Sequence, residues 1–415
     1  MRVAVIGSGV VGATSALALA RRGHDVTLFD RSGGTQSAAW GNAGAFAFAD
    51  VIPLATPGIL KKAPFWLLDP DGPLSIPPAY LPHITPWMLR FWRASWRDRY
   101  RAAVAAQSAL MDLSQQALAR LVAAEELEYL LRREGQLQVY EGEGRFRASL
   151  AGWDERRAAG VNFELLQDRA AIDKVQPGLA PRFTHAGFTP DWINVTDPAV
   201  WTREMAARAQ RHGAKAVTAE VIDLRQTGHG TELRVLGQWQ VFDRVVITAG
   251  AWSKPLAKKA GLNLPLETER GYNTTLPAGA FDLRTHVTFS DHGFVVSKIG
   301  EGIRVGGGVE LGGLHRAPRL SRAQKLLTKA QAFMPGLDAT GGKQWMGFRP
   351  SMPDSLPVIG KAPKLPHVVM AFGHGHLGLT QSAGTAELVC DLVEGRNTAI
   401  DATPFHPTRF VGANA

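Results

Sequence analysis

The sequence predicts an α/β protein with two domains, and three features of its pattern support this. The chain opens with an apolar run, a glycine-rich turn, a helical segment and a second apolar run, the pattern of a βαβ unit. Residues 264–309 instead contain short strand-like runs separated by glycine turns, typical of an antiparallel sheet. The end of the chain returns to a buried strand, a glycine-rich turn and a helix. We therefore expect a Rossmann-type domain and a second domain built on a mainly antiparallel sheet with helices.

The individual elements follow in order from hydrophobic periodicity and from the positions of glycine and proline. The first helix ends in a basic turn followed by glycine, as helix C-termini prefer. Prolines recur between residues 50 and 86 and argue against long helices there, whereas residues 87–134 have a helical pattern. Together they predict an insertion packed beside the first domain. The predicted strands are 3–6, 26–29, 183–191, 214–224, 241–248, 287–289, 293–299, 303–307 and 368–372, and the other predicted helices are 13–22, 198–212 and 380–394.

Length, charge and cysteine content narrow the class of protein. The 415 residues, 45% of them hydrophobic, can bury a full core. The net charge of +9 suits an anionic substrate, an acidic redox partner or an anionic membrane surface. The basic residues are scattered without a zinc-finger or basic-zipper pattern, so we expect no nucleic-acid partner. The single cysteine, Cys390, allows no internal disulfide and is expected to be a buried core residue.

The hydropathy pattern predicts a cytoplasmic protein. One arginine separates Met1 from the first apolar run, which leaves no room for a charged leader. No uncharged apolar stretch reaches the roughly 18 to 20 residues that span a bilayer. Residues 63–96 are rich in Trp, Phe, Leu and Pro, and either a lid over the active site or a peripheral contact on the inner face of the membrane explains them.

Three glycines and one acid predict a dinucleotide site at the first turn. Gly7, Gly9 and Gly12 allow a tight turn, close approach of a pyrophosphate and close packing of the helix on the strand. Asp30 lies 18 residues after Gly12 at the end of the second strand, where a carboxylate can accept hydrogen bonds from ribose hydroxyls. An acid at this position fits FAD or NAD better than NADP.

Four further blocks carry a resemblance to a known family. They are Thr-Gln-Ser-Ala-Ala-Trp-Gly-Asn-Ala-Gly at 35–44, Val-Ile-Thr-Ala-Gly-Ala-Trp-Ser at 246–253, Gly-Phe-Arg-Pro at 347–350 with Asp-Ser-Leu-Pro-Val-Ile-Gly at 354–360, and Gly-His-Gly-His-Leu-Gly-Leu-Thr at 373–380. In this order they resemble the D-amino-acid-oxidase-like FAD-dependent oxidoreductase superfamily. Residues 61–114 and Glu-Arg-Gly-Tyr at 269–272 are most similar to its bacterial D-amino acid dehydrogenase subfamily.

The resemblance implies a bound FAD, and the place of Cys390 inside a helical pattern predicts that the FAD is held non-covalently. The resemblance assigns an FAD-binding domain to residues 1–50, 190–262 and 340–415, and a substrate domain with the insertion to residues 51–189 and 263–339. The turn at 373–378 precedes a helix, and its backbone amides would contact the edge of the flavin that becomes anionic on reduction. With the first-turn residues, the implied cofactor-binding residues are Gly7, Gly9, Val10, Val11, Gly12, Asp30, Arg31, Ser37, Asn42, Ala43, Gly44, Val221, Ala249, Gly250, Trp252, Gly347, Gly375, His376, Leu377, Gly378, Leu379 and Thr380.

The same resemblance implies the residues that hold the substrate. Arg349 is expected to bind a substrate carboxylate through its guanidinium fork. The hydroxyl of Tyr272 is expected to share that carboxylate or cap the pocket. Asn273, His292 and His376 are candidates for the rest of the pocket, and Asn273 departs from the histidine or serine that often follows the tyrosine in this branch.

A metal site is not expected. His374 and His376 alternate on a tight turn with no suitable third ligand nearby, and flavin binding explains the surrounding glycines.

Three hypotheses of function follow from this resemblance. The first is oxidative deamination of a D-amino acid by hydride transfer from Cα to flavin N5, with electrons passed to a quinone or another carrier. The released imino acid would hydrolyse to a 2-oxo acid and ammonia. The second is oxidation of a secondary or cyclic amino acid, such as D-proline, D-hydroxyproline, glycine or sarcosine. The third is a flavin-binding subunit of a larger electron-transfer assembly.

Overall fold

The computed structural model describes residues 1–59, 69 and 72–410, and it confirms the α/β prediction. A six-stranded sheet has the order β10-β2-β1-β14-β21-β20, and every neighbouring pair is parallel except β20 and β21. The parallel strands end at a common edge, where α/β proteins bind their ligands. Its strands are β1 (Arg2–Ile6), β2 (Asp25–Asp30), β10 (Lys215–Thr218), β14 (Arg244–Ile247), β20 (Val358–Ala362) and β21 (Leu365–Phe372).

Helices cover one face of this sheet and a small antiparallel sheet covers the other. Apolar side chains of β1 and β2 pack with those of four helices in one core, with fully buried Trp201 at its centre. Cys390 lies in the same core, as the sequence predicted. The helices are α1 (Val10–Arg21), α3 (Arg97–Glu125), α6 (Pro198–Arg211) and α9 (Gly378–Glu394), and the opposite face carries β11 (Val221–Gln226), β12 (Thr231–Val235), β13 (Gln238–Phe242) and α7 (Ser253–Lys259).

The second domain is built on a nine-stranded, mainly antiparallel sheet. Eight strands follow the order β19-β15-β18-β17-β16-β6-β8-β7, and β4 pairs with β18; only β16 with β6 and β18 with β4 are parallel. The strands are β4 (Leu74–Ser75), β6 (Gln136–Glu141), β7 (Glu164–Leu166), β8 (Phe183–Thr189), β15 (Glu267–Leu276), β16 (His286–Phe289), β17 (Phe294–Ile299), β18 (Gly302–Glu310) and β19 (Lys343–Ser351).

Shorter elements complete the described chain. A three-stranded sheet of order β3-β9-β5 takes strands from three distant segments of the sequence. These strands are β3 (Ala45–Phe46), β5 (Leu131–Arg132) and β9 (Ile193–Val195), and the remaining helices are α2 (Leu81–Ala94), α4 (Gly142–Ala158), α5 (Arg169–Val175) and α8 (Ser321–Phe333).

The structure corrects several predicted boundaries. The single strand predicted at 214–224 is two strands, β10 and β11, in different sheets, and the one predicted at 241–248 is likewise β13 and β14. The helical pattern at 87–134 ends at Glu125, and residues before 87 already belong to α2. Strand β19 lies in the nine-stranded sheet, although the sequence placed residues 340–415 in the cofactor domain. The described residues leave out 60–68 and 70–71 of the Pro-rich stretch and 411–415 of the predicted cofactor domain.

Candidate functional site

A cavity of about 750 Å³ lies where the carboxyl edge of the six-stranded sheet meets the nine-stranded sheet. Loops that follow β1, β2, β14 and β21 form one part of its wall, and β15, β18 and β19 form another. Its volume is in the range of small-molecule and cofactor sites. Most of the predicted site residues line it; the exceptions are Gly12, Gly44, Thr380 and His292.

The first glycine turn has the geometry that a bound pyrophosphate requires. Gly7 has φ of +104°, and a Cβ there would lie 2.7 Å from the carbonyl oxygen of Thr248. A Cβ on Gly12 would lie 1.8 Å from the carbonyl oxygen of Gly7, so Gly12 serves the packing of α1 on the turn. Gly9 lines the cavity, and a Cβ there would meet only the Ser37 hydroxyl at 3.4 Å. Helix α1 starts after Gly9 with no side-chain cap, so its first N–H groups are available to a phosphate.

Asp30 presents an ionised carboxylate to the same cavity. Its Oδ1 accepts hydrogen bonds from the Ser32 N–H and hydroxyl and the Gly34 N–H, and its Oδ2 accepts from the Ser8 N–H at 2.9 Å. Burial alone would raise the pKa of Asp30, but these donors outweigh burial and lower the pKa. Oδ2 keeps a lone pair for a ribose hydroxyl.

Second-domain side chains hold the loop at residues 40–44. Arg304 donates to the carbonyl oxygens of Trp40 and Asn42 at 2.9 and 2.6 Å, and Asn273 donates to that of Gly41 at 3.0 Å. Asn273 therefore fixes the cavity wall with its amide nitrogen, while its Oδ1 has no hydrogen-bond partner among the described residues. Its place among the substrate-pocket residues stays a prediction. The Trp345 ring would lie 1.8 Å from a Cβ on Gly41, so a larger residue at this position would require the ring to move.

Gly44 and Thr380 lie behind the cavity wall. Gly44 has φ of +73°, and its N–H donates to the side chain of Asn42 at 2.8 Å. The Thr380 hydroxyl accepts from the Ala47 N–H and donates to the Ala45 carbonyl oxygen. Gly44 therefore shapes the loop at residues 42–47, and Thr380 of α9 holds that loop through its hydroxyl.

The second glycine turn presents backbone to the cavity at the start of α9. Gly373 has φ of +86°, and a Cβ there would lie 2.7 Å from Met352 Cγ. Gly375 has φ of +56°, and its N–H donates to the Pro350 carbonyl oxygen at 2.7 Å. Gly378 and Leu379 line the cavity, and α9 begins with no side-chain cap. These uncapped N–H groups can stabilise negative charge on a ring bound beside them.

The two histidines of this turn differ in surroundings. His374 is buried, its Nε2 lies 3.0 Å from the Thr385 hydroxyl, and burial lowers its pKa to about 3. His376 lines the cavity, and burial lowers its pKa while Asp50 and Glu269 act in the opposite sense. Among the described residues, no group of three His, Cys, Asp or Glu side chains could hold a metal ion.

The guanidinium of Arg349 lies in the wall of the cavity formed by the nine-stranded sheet. Its side chain crosses β15 above Gly271, where a Cβ would lie 2.4 Å from Nη2, and its Nη1 donates to the Gly308 carbonyl oxygen at 3.0 Å. Burial lowers the pKa of Arg349 and the nearby Glu269 carboxylate raises it, and an arginine keeps its charge in either case. The remaining N–H donors suit a carboxylate.

The structure corrects the predicted role of the Tyr272 hydroxyl. Arg349 and Glu269 face each other across β19 and β15, so Gly271 shares their face of the sheet and Tyr272 points to the other. The hydroxyl of Tyr272 donates to Glu310 and accepts from the Arg319 N–H at 3.2 Å. It therefore has no free position for a substrate carboxylate. Glu310 also forms a fully buried ion pair with Arg270 at 3.3 Å, a structural network that is costly to break.

His292 does not line the cavity. Its Nε2 lies 2.8 Å from Glu141 Oε1, and its ring packs against Phe333. We therefore remove His292 from the pocket candidates.

Several cavity residues were not singled out from the sequence. The run Gly306-Gly307-Gly308 lines the wall beside Arg349, and a Cβ on Gly307 would lie 2.4 Å from the Gly293 carbonyl oxygen. Three consecutive glycines in a predicted strand are a signal of close approach that could have been used. Others come from strands distant in sequence without a local motif, or from the chain near them, namely Asp50, Gln136, Gln138, Trp192, Glu269, Thr288, Arg304 and Trp345.

The chain is similar to known oxidoreductases over nearly its whole length. The family model described as FAD dependent oxidoreductase matches residues 2–392. D-amino-acid oxidase of Bradyrhizobium diazoefficiens is 39% identical over 420 residues, which is 99% of each protein. D-amino acid dehydrogenase of Rhizobium rhizogenes is 32% identical over 418 residues, covering 99% of this chain and 100% of the relative. The crystal structure of glycine oxidase from Geobacillus kaustophilus matches with a TM-score of 0.78 and 25% identity, covering 99% of this chain and 100% of that one.

Proposed function

Because the chain belongs to the family of FAD dependent oxidoreductases, we propose that it oxidises a D-amino acid with FAD held non-covalently in the cavity. The observation that carries the proposal is that Arg349 lines the same cavity as both glycine turns. The names of two relatives support the D-configuration. Cys390 is fully buried and burial raises the pKa of its thiol to about 12, which disfavours a covalent link to the flavin.

The chain's own side chains bind and orient the substrate. Arg349 would receive the substrate carboxylate, and its bond to the Gly308 carbonyl oxygen holds the guanidinium in place for that contact. Bound FAD supplies the acceptor for the hydride that leaves Cα. Loss of that hydride and of one proton from nitrogen gives an imino acid, which water hydrolyses to a 2-oxo acid and ammonia.

A second candidate is oxidation of a secondary or cyclic amino acid. The likeness to glycine oxidase favours it, and Trp192 and Leu377 offer apolar wall against which a ring could pack. The cyclic product would persist as a pyrroline rather than hydrolyse.

Turnover by the purified chain with a dye acceptor tests the proposed function. We expect dye reduction with D-amino acids and formation of the matching 2-oxo acid and ammonia in equal amounts. Turnover restricted to cyclic or N-methylated substrates would favour the second candidate. A chain that contains FAD but turns over none of these compounds would instead fit the hypothesis of a subunit in a larger electron-transfer assembly.

We also propose that electrons pass to a membrane quinone and that α2 contacts an anionic membrane surface. Leu89, Trp92 and Trp96 are 57%, 41% and 46% exposed, and Arg90 and Arg97 are exposed beside them. Exposed apolar and basic side chains within residues 89–97, at the end of α2 and the start of α3, suit the membrane interface. Among the described residues, no helix is both long enough and apolar enough to cross a bilayer.

Sedimentation with vesicles tests this contact. We expect the chain to bind vesicles that contain phosphatidylglycerol and phosphatidylcholine, and the double variant Leu89→Glu with Trp92→Glu to bind about tenfold less, because two apolar groups are lost from the interface. Leu236→Glu is the matched control, since Leu236 is 77% exposed in a turn of another sheet. Equal binding by the double variant would contradict the assignment.

A further inference from the structure

Glu269 is a buried carboxylate that faces the cavity without a partner of its own. Its side chain is 6% exposed and lines the cavity. In the part of the chain that the structure describes, this carboxylate accepts no hydrogen bond and forms no ion pair, although its charge raises the pKa of Arg349 and of His376 against the effect of burial. A buried carboxylate is costly unless it is paired, so this position calls for a ligand that carries positive charge or N–H donors.

Glu269 and Arg349 form an adjacent pair of opposite charges on one face of the sheet. Glu269 lies directly opposite Arg349 in the pairing of β15 with β19. The guanidinium of Arg349 extends over Gly271, which is two residues farther along β15 and roughly 6.6 Å from Glu269 at the strand rise. The two charges form no ion pair with each other, and the guanidinium instead donates to Gly308. Both groups therefore remain available to one small ligand.

The other charged groups nearby do not neutralise Glu269. Asp50 is also acidic and has its own partner, since Arg156 lies 3.8 Å away. His376 lines the same part of the cavity, and burial lowers its pKa, so its ring is neutral near pH 7. A ligand with one negative and one positive group matches the charges of Arg349 and Glu269.

We propose that Glu269 receives the α-ammonium group of the substrate while Arg349 receives its carboxylate. Glu269 is then a specificity-determining residue through which the site selects zwitterionic amino acids over 2-hydroxy acids and simple carboxylic acids. This inference rests on the proposed function, because it concerns the same substrate in the same cavity.

Binding to the dithionite-reduced holoenzyme tests the inference apart from turnover, because the reduced flavin accepts no hydride. Calorimetric titration compares D-alanine with propanoate, which has the same carbon chain and no amine. We expect Glu269→Gln to weaken D-alanine binding at least tenfold, since the variant keeps the shape and loses the charge. Propanoate binding should stay within about threefold or become tighter.

Two further variants serve as controls for the effect of Glu269→Gln on binding. Glu267→Gln changes the same residue type two positions away, where the carboxylate already accepts from the Tyr80 hydroxyl at 3.0 Å, and it should leave both ligands within about twofold. Arg349→Ala should weaken both ligands. If Glu269→Gln weakened D-alanine and propanoate binding equally, Glu269 would have a structural role. If D-alanine binding were unchanged, Glu269 would have no role in binding the ammonium group. Either result overturns the inference. Failure of the proposed function appears separately, as oxidised enzyme that D-amino acids do not reduce.

Discussion

Replacing Arg349 by alanine is expected to lower kcat/KM by more than about 100-fold, chiefly through a higher KM. The guanidinium is a charged donor in the cavity that suits a substrate carboxylate, whereas Arg304 is already bonded to the carbonyl oxygens of Trp40 and Asn42. A bidentate charge-assisted pair is among the strongest polar interactions in proteins. Steady-state kinetics with the best amino acid of a panel measures the effect. The FAD content should stay at the wild-type value, because within the described residues the guanidinium donates to the Gly308 carbonyl oxygen and to no residue of the two glycine turns expected to hold FAD.

A matched control separates this effect from general disturbance. Arg132 also donates from its guanidinium to a backbone carbonyl oxygen, that of Gly300, but it does not line the cavity. Arg132→Ala should keep kcat/KM within about twofold, and Arg349→Lys should recover part of the lost activity, since the charge remains and the fork does not. Near-normal kinetics of Arg349→Ala would remove this residue from the site.

Substituting Gly9 by alanine is expected to weaken FAD binding about 100-fold while the fold persists. A Cβ at this position meets only the Ser37 hydroxyl at 3.4 Å, so the chain itself has room for it. The methyl group would stand between the cavity and the first N–H groups of α1, where the pyrophosphate is expected. Loss of two charge-assisted hydrogen bonds at about 1.5 kcal/mol each corresponds to this factor. Titration of the apoprotein with FAD, followed by flavin fluorescence, measures the dissociation constant.

Two other glycines of the same helix region act as controls. Gly23→Ala adds a Cβ in open space at φ of +80°, so we expect it to cost about 1 kcal/mol of stability and to leave FAD affinity unchanged. Gly12→Ala places a Cβ 1.8 Å from the Gly7 carbonyl oxygen and should destabilise the domain as a whole. If Gly9→Ala bound FAD as tightly as the wild type, the pyrophosphate would have to lie elsewhere.

The local parts of the fold were predictable from the sequence and the sheet assignments were not. The opening βαβ unit was found because strand, turn and helix adjoin in sequence. The split of residues 214–224 was missed because the chain leaves one sheet for another at Ala219, whose N–H donates to the Asp30 carbonyl oxygen. Such a partner lies 189 residues away in sequence, so no local pattern reveals it.

In the candidate site, too, local features were predictable from the sequence and contacts between distant strands were not. The glycine turns were recognised because their requirement for small residues is local. The carboxylate-sharing role of the Tyr272 hydroxyl was misjudged because a strand sends neighbouring side chains to opposite faces, and the partner of that hydroxyl, Glu310, comes from another strand. The same alternation places Glu269 on the face of Gly271 and Arg349, so strand parity could have identified Glu269 once Arg349 was chosen.

Anaerobic reduction of the purified holoenzyme tests the central claim most directly, that this cavity oxidises amino acids held by Arg349. The flavin absorbance is followed after mixing with matched D- and L-amino acids and with proline derivatives. We predict rapid bleaching by D-amino acids in the wild type and, at the same concentrations, bleaching at least about 100-fold slower in Arg349→Ala. A flavin that no amino acid bleaches, or that bleaches equally fast in Arg349→Ala, would contradict the account.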